Sequence, residues 1–411
     1  MDTDESGAKP LSITLADVQA AQARLRGVIP KSPCARSETL SERFECNVYL
    51  KLENLQMTGS FKDRGAFNCV ALLSDEQRRA GVIAASAGNH AQGLAFAAQR
   101  RGVSATIVMP VATPLIKVTA TRARGANIVL HGESFDDAMT EAKRLAVEQG
   151  RVLVPPFDND AVIAGQGTVA LEILEDVPDV DVVIVPVGGG GLAGGIGTVL
   201  SALKPDALLY GVQASAVPSM QAALEAAKPV LVPTARTLAD GIAVRAVCPR
   251  TLALAQQHLA QLVLVDDEEI AEAVLLLVEV EKTVAEGAGA APLAALLSRT
   301  LPVEGKTVVV VVSGGNIDVQ ILARIIDRGL VKSGRSMRVR VIIPDVPGAL
   351  AELLGVVARV RANVLEVHHD RLASRSDPGL TTVELVLETR GFDHVSQVEN
   401  VITEHGWVIA M

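Results

Sequence analysis

Short apolar runs alternate with longer amphipathic segments through most of the chain. "NVYLKLE" is followed by a helical pattern from about Asp63, "GVIAAS" by one from Asn89, "ATIVMP" by one from Pro114, and "NIVLHG" by one from Ser134. The alternation resumes with "DVVIVPVGGGG", "LLYGVQA", a long helical run from Asp267 and "TVVVVVSGGN", and it stops near Gly329. Repeated strand and helix in this order predicts βαβ units, hence a parallel sheet covered by helices. Beyond residue 336 the order becomes strand ("RVRVIIP"), helix (348–361), strand ("NVLEVHH"), loop ("SRSDPG"), strand ("TTVELVLE"), helix (about 393–405) and strand ("WVIAM"). That is βαββαβ, the ferredoxin-like α+β pattern, and it predicts a separate domain over 337–411 behind a polar linker at 329–336.

Composition sharpens this picture. Aromatic residues make up only 2% of a chain that is 49% hydrophobic, so Val, Ala, Leu and Gly build the core, as in buried parallel strands under close-packed helices. The net charge of -9 is spread along the chain without a basic patch, which argues against a nucleic-acid partner. Cys34, Cys46, Cys69 and Cys248 are too widely spaced for a CxxC site and read as reduced structural thiols. The acidic, polar residues 1–12 read as a disordered lead-in, and no apolar run is long enough for a membrane span, so a cytoplasmic protein is expected.

Candidate chemistry sits in the loops that follow strands. Gly188, Gly189, Gly190 and Gly191 lie between a buried strand and a helix, where backbone N–H groups can converge on an anion beside the positive helix end. Gly189, Gly191 and Gly194 also spell G-x-G-x-x-G, but the next strand ends in "GVQAS" without the acid that would hold a ribose, and the loop lacks the G-K-[ST] ending of a P-loop. A smaller phosphate ester therefore fits better than a nucleotide. "SAGNH" (Ser86, Ala87, Gly88, Asn89, His90) opens another helix, and Ser313 of "SGGN" ends a buried strand. An ordinary helix cap and an ordinary turn are the plain readings of these two loops. Lys62, after the Gly59–Ser60 turn and beside Phe61, stands at a helix start, where desolvation lowers a lysine pKa and favours Schiff-base chemistry.

Seven motifs in order, "SFKDRGAFN", "SAGNHAQG", "VIAGQGTVALEI", "VPVGGGGLAGG", "LADGIAV", "AEGAGAAPLAAL" and "VVSGGN", resemble the threonine/serine dehydratases of the tryptophan-synthase-β-like family of pyridoxal phosphate enzymes. The resemblance implies an α/β catalytic domain over 13–328 with a smaller subdomain at about 52–155. It implies pyridoxal 5'-phosphate held as a Schiff base by Lys62, with Phe61 on the pyridine ring, Asn89 at its 3'-oxygen, Gly188 to Gly191 at the phosphate, Ser313 at the ring nitrogen and Glu286 near the far edge. Ser86, Ala87, Gly88, Asn89 and His90 would line the substrate carboxylate. Lys62 would be the base in a β-elimination that turns threonine into 2-oxobutanoate and ammonia, and serine into pyruvate.

Serine racemases and β-replacement enzymes of the same fold are the alternative. Racemases carry a serine where this chain has Ala87, which disfavours racemisation. Relatives that bind a divalent metal use carboxylates near Gln213, Val217 and Ser219, so no metal is expected. The last domain resembles an ACT module, which implies an amino-acid effector held by Asp345 and the N–H groups of Gly348, Ala349 and Leu350. A homo-oligomer is expected.

Overall fold

The computed structural model describes residues 13–370 and 379–410. The lead-in at 1–12, Met411 and most of the "SRSDPG" loop lie outside the described residues. The chain forms two compact units, Met1–Ile317 and Asp318–Met411. Among the described residues the first contains ten strands: β1 (Cys34–Arg36), β2 (Asn47–Leu52), β3 (Val82–Ala85), β4 (Ala105–Met109), β5 (Asn127–Leu130), β6 (Val152–Leu153), β7 (Val182–Pro186), β8 (Leu208–Ala214), β9 (Gln261–Val265) and β10 (Thr307–Val312). They make a six-stranded sheet of order β1-β2-β10-β7-β8-β9 and a four-stranded sheet of order β5-β4-β3-β6. All pairs are parallel except β1 with β2.

The central strands carry no alternation because helices cover both faces: every residue of β7 and β10 is buried. Small residues let those helices approach closely. A Cβ on Gly165 of the helix Asp160–Asp176 would fall 2.6 Å from Cα of Gly65, in the helix Lys62–Ala71. One on Gly195, in the helix Gly191–Leu203, would fall 2.5 Å from the Ile163 carbonyl oxygen. Three helices that will matter for the site are thereby packed backbone to backbone. Among the described residues no helix is long and apolar enough to cross a membrane.

The second unit is an antiparallel sheet of order β12-β13-β11-β14, built from β11 (Ser336–Pro344), β12 (Asn363–Asp370), β13 (Leu380–Glu388) and β14 (Val408–Ala410). Helices Ala349–Arg359 and Phe392–Glu404 complete βαββαβ. Here β11 alternates buried with exposed or half-buried positions and β13 buried with mostly half-buried ones, the period of two that a sheet with one covered face requires. Two boundaries differ from the sequence reading, for the first unit ends at Ile317 and not at 328. Residues 329–332 are not linker, because the helix Val319–Lys332 runs through them and only 333–335 remain before β11. Gly329 is tolerated inside that helix, and Lys332 suits its negative C-terminal end.

Candidate active site

Three neighbouring strands, β2, β10 and β7, deliver their C-terminal ends to one place. The chain order reverses there, which is where open parallel sheets collect ligands. After β2 comes the turn that presents Lys62. Its shape is set locally: the Thr58 amide donates to Asp63 Oδ2 (2.8 Å) and the Thr58 hydroxyl to Oδ1. Burial pushes the Asp63 carboxyl up to about 6, and these bonds pull against that. Lys62 is only half-buried as a residue, yet its ammonium is enclosed: Nζ donates to the Pro156 carbonyl (3.0 Å) and lies 5.0 Å from the Phe61 ring centroid. Burial lowers its pKa from 10.5 to about 8, with the Glu286 carboxylate opposing.

The end of β10 supplies Ser313, which is 2% exposed and whose carbonyl accepts from the Phe61 amide (3.1 Å). Next to it the Gly314 carbonyl accepts from the Glu286 amide (3.0 Å). Glu286 Oε1 in turn accepts from Asn89 Nδ2 (2.6 Å). Burial, reinforced by the charge of Asp240, pushes the Glu286 carboxyl up to about 7, while Asn89, Lys117 and Lys62 pull it down. Asn316 closes the group by donating to the Thr58 carbonyl (2.7 Å) and to Asn89 Oδ1 (2.8 Å). Asn89 is thus held by protein partners at both ends of its amide.

The glycine loop after β7 is buried and has room only for hydrogen at its α-carbons. A Cβ on Gly189 would fall 2.3 Å from the Phe157 ring, on Gly188 2.9 Å from Ile242 Cα, and on Gly190 2.7 Å from Met220 Cε. Gly190 is left-handed at φ 89° and caps the following helix. Bare backbone held at a helix N-terminus suits a phosphate group, and Lys62 with a lowered pKa suits an aldehyde. These residues therefore fit pyridoxal phosphate, with the glycines at its phosphate and Lys62 at its carbonyl.

The profile of the pyridoxal-phosphate dependent enzyme family matches residues 25–314. The chain belongs to that family. Among its relatives, the L-threonine ammonia-lyase of Thermotoga maritima is 50% identical over 97% of this chain and 99% of its own. The solved threonine deaminase isoform 2 of Solanum lycopersicum, in its processed form, is 36% identical with a TM-score of 0.73, covering 78% of this chain and 90% of that one. Maize serine racemase is 32% identical with the same TM-score, covering 78% and 99%. Pyridoxal phosphate is thus the cofactor, and the fold is that of its tryptophan-synthase-β-like enzymes.

Within this pyridoxal-phosphate enzyme, Ser86, Ala87, Gly88 and Asn89 form a partly open loop at the end of β3, beside Lys62. The ring of His90 does not point out of this loop. Its side chain is 3% exposed and turned into the protein, where Nε2 lies 2.9 Å from the Val154 carbonyl. A carbonyl only accepts, so Nε2 carries the proton, and Nδ1 finds no partner among the described residues. Burial, with the Lys62 charge, drives its pKa down to about 3. A side chain so placed offers a substrate carboxylate no charge.

Gln213 accepts from the amides of Met220 and Gln221 and so staples a helix start. Among the described residues no cluster of His, Cys, Asp or Glu could hold a metal ion. In the second unit, Gly348 (φ 94°) caps the helix Ala349–Arg359, with Asp345 exposed beside it. The Ala349 amide already donates to the Val346 carbonyl (3.3 Å), which removes one of the three donors expected for an effector.

Pro156, Phe157 and Asn316 are the site residues that sequence reasoning missed. The "PPF" after β6 was the available signal for the first two, but its partner Lys62 is 94 residues away.

Proposed function

We propose that this chain catalyses the pyridoxal phosphate-dependent deamination of L-threonine to 2-oxobutanoate and ammonia, with L-serine going to pyruvate. The observation that carries it is the meeting of Lys62, the glycine loop, Ser313 and the Asn89–Glu286 pair at the ends of β2, β7 and β10. That meeting occurs in a chain half identical, end to end, to a threonine ammonia-lyase.

When bound, pyridoxal phosphate supplies the conjugated system that makes a Cα proton removable. Lys62 would hold the cofactor through its amine and, as a free amine, would take the Cα proton. Its lowered pKa keeps a useful fraction of free amine at neutral pH. Gly188, Gly189, Gly190 and Gly191 hold the phosphate, and Phe61 supports the ring. Asn89, held at both ends of its amide by Asn316 and Glu286, would hold the 3'-oxygen. Neutral Ser313 would offer the ring nitrogen no acid, which would favour loss of the β-hydroxyl over transamination. The Ser86–Asn89 backbone receives the substrate carboxylate.

Ala87 places no hydroxyl on the opposite face of Cα, which disfavours reprotonation there. The second unit reads as an ACT module that senses an amino acid through the Asp345–Leu350 turn, and the working enzyme as a homo-oligomer.

Borohydride reduction and peptide mapping, coupled to product analysis, tests the reading. The label is expected on Lys62, with oxo acid and ammonia formed from threonine. A label elsewhere refutes the site, and D-serine as the main product from L-serine favours the racemase alternative. Threonine kinetics that no amino acid shifts would remove the effector role.

A further inference from the structure

Behind Lys62 lies a closed cluster of four charges. Lys51, Glu53 and Arg64 are 0%, 0% and 1% exposed, and Glu172 is 8% exposed. Arg64 grips Glu53 with Nε and Nη2 (2.8 and 2.7 Å), and Glu172 with Nη1 and Nη2 (2.6 and 2.8 Å). Lys51 Nζ donates to Glu172 Oε2 (2.6 Å) and to the Ser32 carbonyl (2.8 Å). The Ser32 hydroxyl reaches Glu53 Oε1 (2.5 Å), and Thr168 Oγ1 accepts from Arg64 (3.2 Å). Two cations balance two carboxylates, and both forks of Arg64 are used.

Stability alone is a weak reason for such a cluster, since apolar replacement of buried ion networks is often neutral or stabilising. Geometry is a stronger one, because a planar guanidinium held by two carboxylates has a single orientation. Arg64 is two residues beyond Lys62, so at about 100° per residue the two side chains leave the helix on nearly opposite sides. One side chain reaches the site while the other is fixed in the protein body.

The cluster's partners are the other pieces that build the site. Glu53 follows directly on β2, whose last residue, Leu52, pairs with Val312, the residue before Ser313. Glu172 is on the helix Asp160–Asp176, which packs at Gly167 and Ile163 against Gly195 of the glycine-loop helix. Arg64 therefore joins the lysine helix to the strand pair ending at Ser313 and to the support of the glycine loop.

We propose that Arg64, through Glu53 and Glu172, is the positioning residue that sets Lys62 in register with the phosphate loop and Ser313. The inference rests on Lys62 being the cofactor lysine. Its test uses Arg64→Lys, which keeps the charge but loses the planar fork that fixes its orientation between two carboxylates, and Glu53→Gln, which keeps the shape and weakens one fork. Both are made in the full chain loaded with pyridoxal phosphate. In each variant kcat for threonine falls, on the order of 10²-fold for Arg64→Lys, while KM stays within about 3-fold. The pH midpoint of the visible absorbance of the lysine-bound cofactor also moves.

A folded variant with lowered Tm but unchanged kcat and unchanged midpoint overturns the proposal and leaves the cluster a purely structural one. If Arg64→Lys does not fold, the milder Glu53→Gln decides by the same two readouts. Borohydride mapping of the parent enzyme separates the failures. A label away from Lys62 defeats the reading of the site, whereas a label on Lys62 with indifferent variants defeats only the role of Arg64.

Discussion

Replacing Lys62 by methionine is expected to stabilise the cofactor-free protein at neutral pH. Burial holds the Lys62 pKa at about 8 in the folded chain, against 10.5 for an ordinary lysine. A gap of roughly 2.5 pH units at about 1.4 kcal/mol each costs the folded state about 3 kcal/mol whenever the amine is protonated. The folded pKa is the lower one, so between pH 8 and 10.5 the unfolded chain holds a proton that the folded chain has released. Stability rises with pH through that window, and below pH 8 the full cost applies. Methionine removes the cost but forfeits the bond to the Pro156 carbonyl, worth about 1 kcal/mol. The net gain is about 2 kcal/mol at pH 7 and close to zero at pH 10. Urea denaturation of both proteins without cofactor, at the two pH values, measures it. A gain as large at pH 10 as at pH 7, or a loss at both, would refute the reasoning. The same pKa leaves about a tenth of Lys62 neutral at pH 7, against roughly one part in 3,000 for an ordinary lysine. Peptide-mapped amine labelling should therefore show Lys62 reacting first, with a midpoint near its folded pKa.

Gly189→Ala sets a methyl group 2.3 Å from the Phe157 ring, so the loop must shift; retention of pyridoxal phosphate after dialysis, read by its absorbance, is expected to drop at least about tenfold, and to recover partly in a Gly189→Ala/Phe157→Leu double variant. Glu286 has its folded pKa raised from 4.5 to about 7, so its favourable contribution is complete below pH 4.5 and lost as pH rises through 7. Glu286→Gln should therefore gain on the parent in cofactor-free unfolding free energy across that window, by up to about 3 kcal/mol, and a difference independent of pH would contradict the shift. His90 should remain neutral and Nε2-protonated at pH 5, visible in its imidazole ¹⁵N resonances, because its folded pKa is near 3. Gly165→Ala drives a Cβ to within 2.6 Å of Gly65 Cα, where only backbone can yield; thermal denaturation should show a loss of about 1–3 kcal/mol or more, and an unchanged Tm would mean that the two helices slide freely.

Much of the site was legible because its parts obey local rules. Lys62, Asn89, Gly188 to Gly191 and Ser313 each lie just beyond a buried apolar strand or at the helix start that follows one, a pattern visible within a dozen or so residues. The βαββαβ order of the second unit could be read the same way, from alternation and turns. Residues 329–332 misled because the glycines and serines of 329–336 together suggest a linker, while the amphipathic pattern from Val319 carries the helix on to Lys332. His90 misled for a different reason: a helix start places its backbone near an anion, but packing decides where its ring turns.

What the chain order determined by itself is the alternation of strand and helix, the two-part architecture and the residue types waiting at the strand ends, since all of these depend on neighbours close in sequence. Only the tertiary structure decided which ends meet. It brought Asn89 to Glu286 across 197 residues and Arg64 to Glu172 across 108. It set the Lys62 pKa by enclosing the amine under Pro156, and it made Arg64, which the sequence analysis did not single out, a buried two-armed tie. Desolvation and close packing depend on what surrounds a group in space, and no local pattern of residues records that.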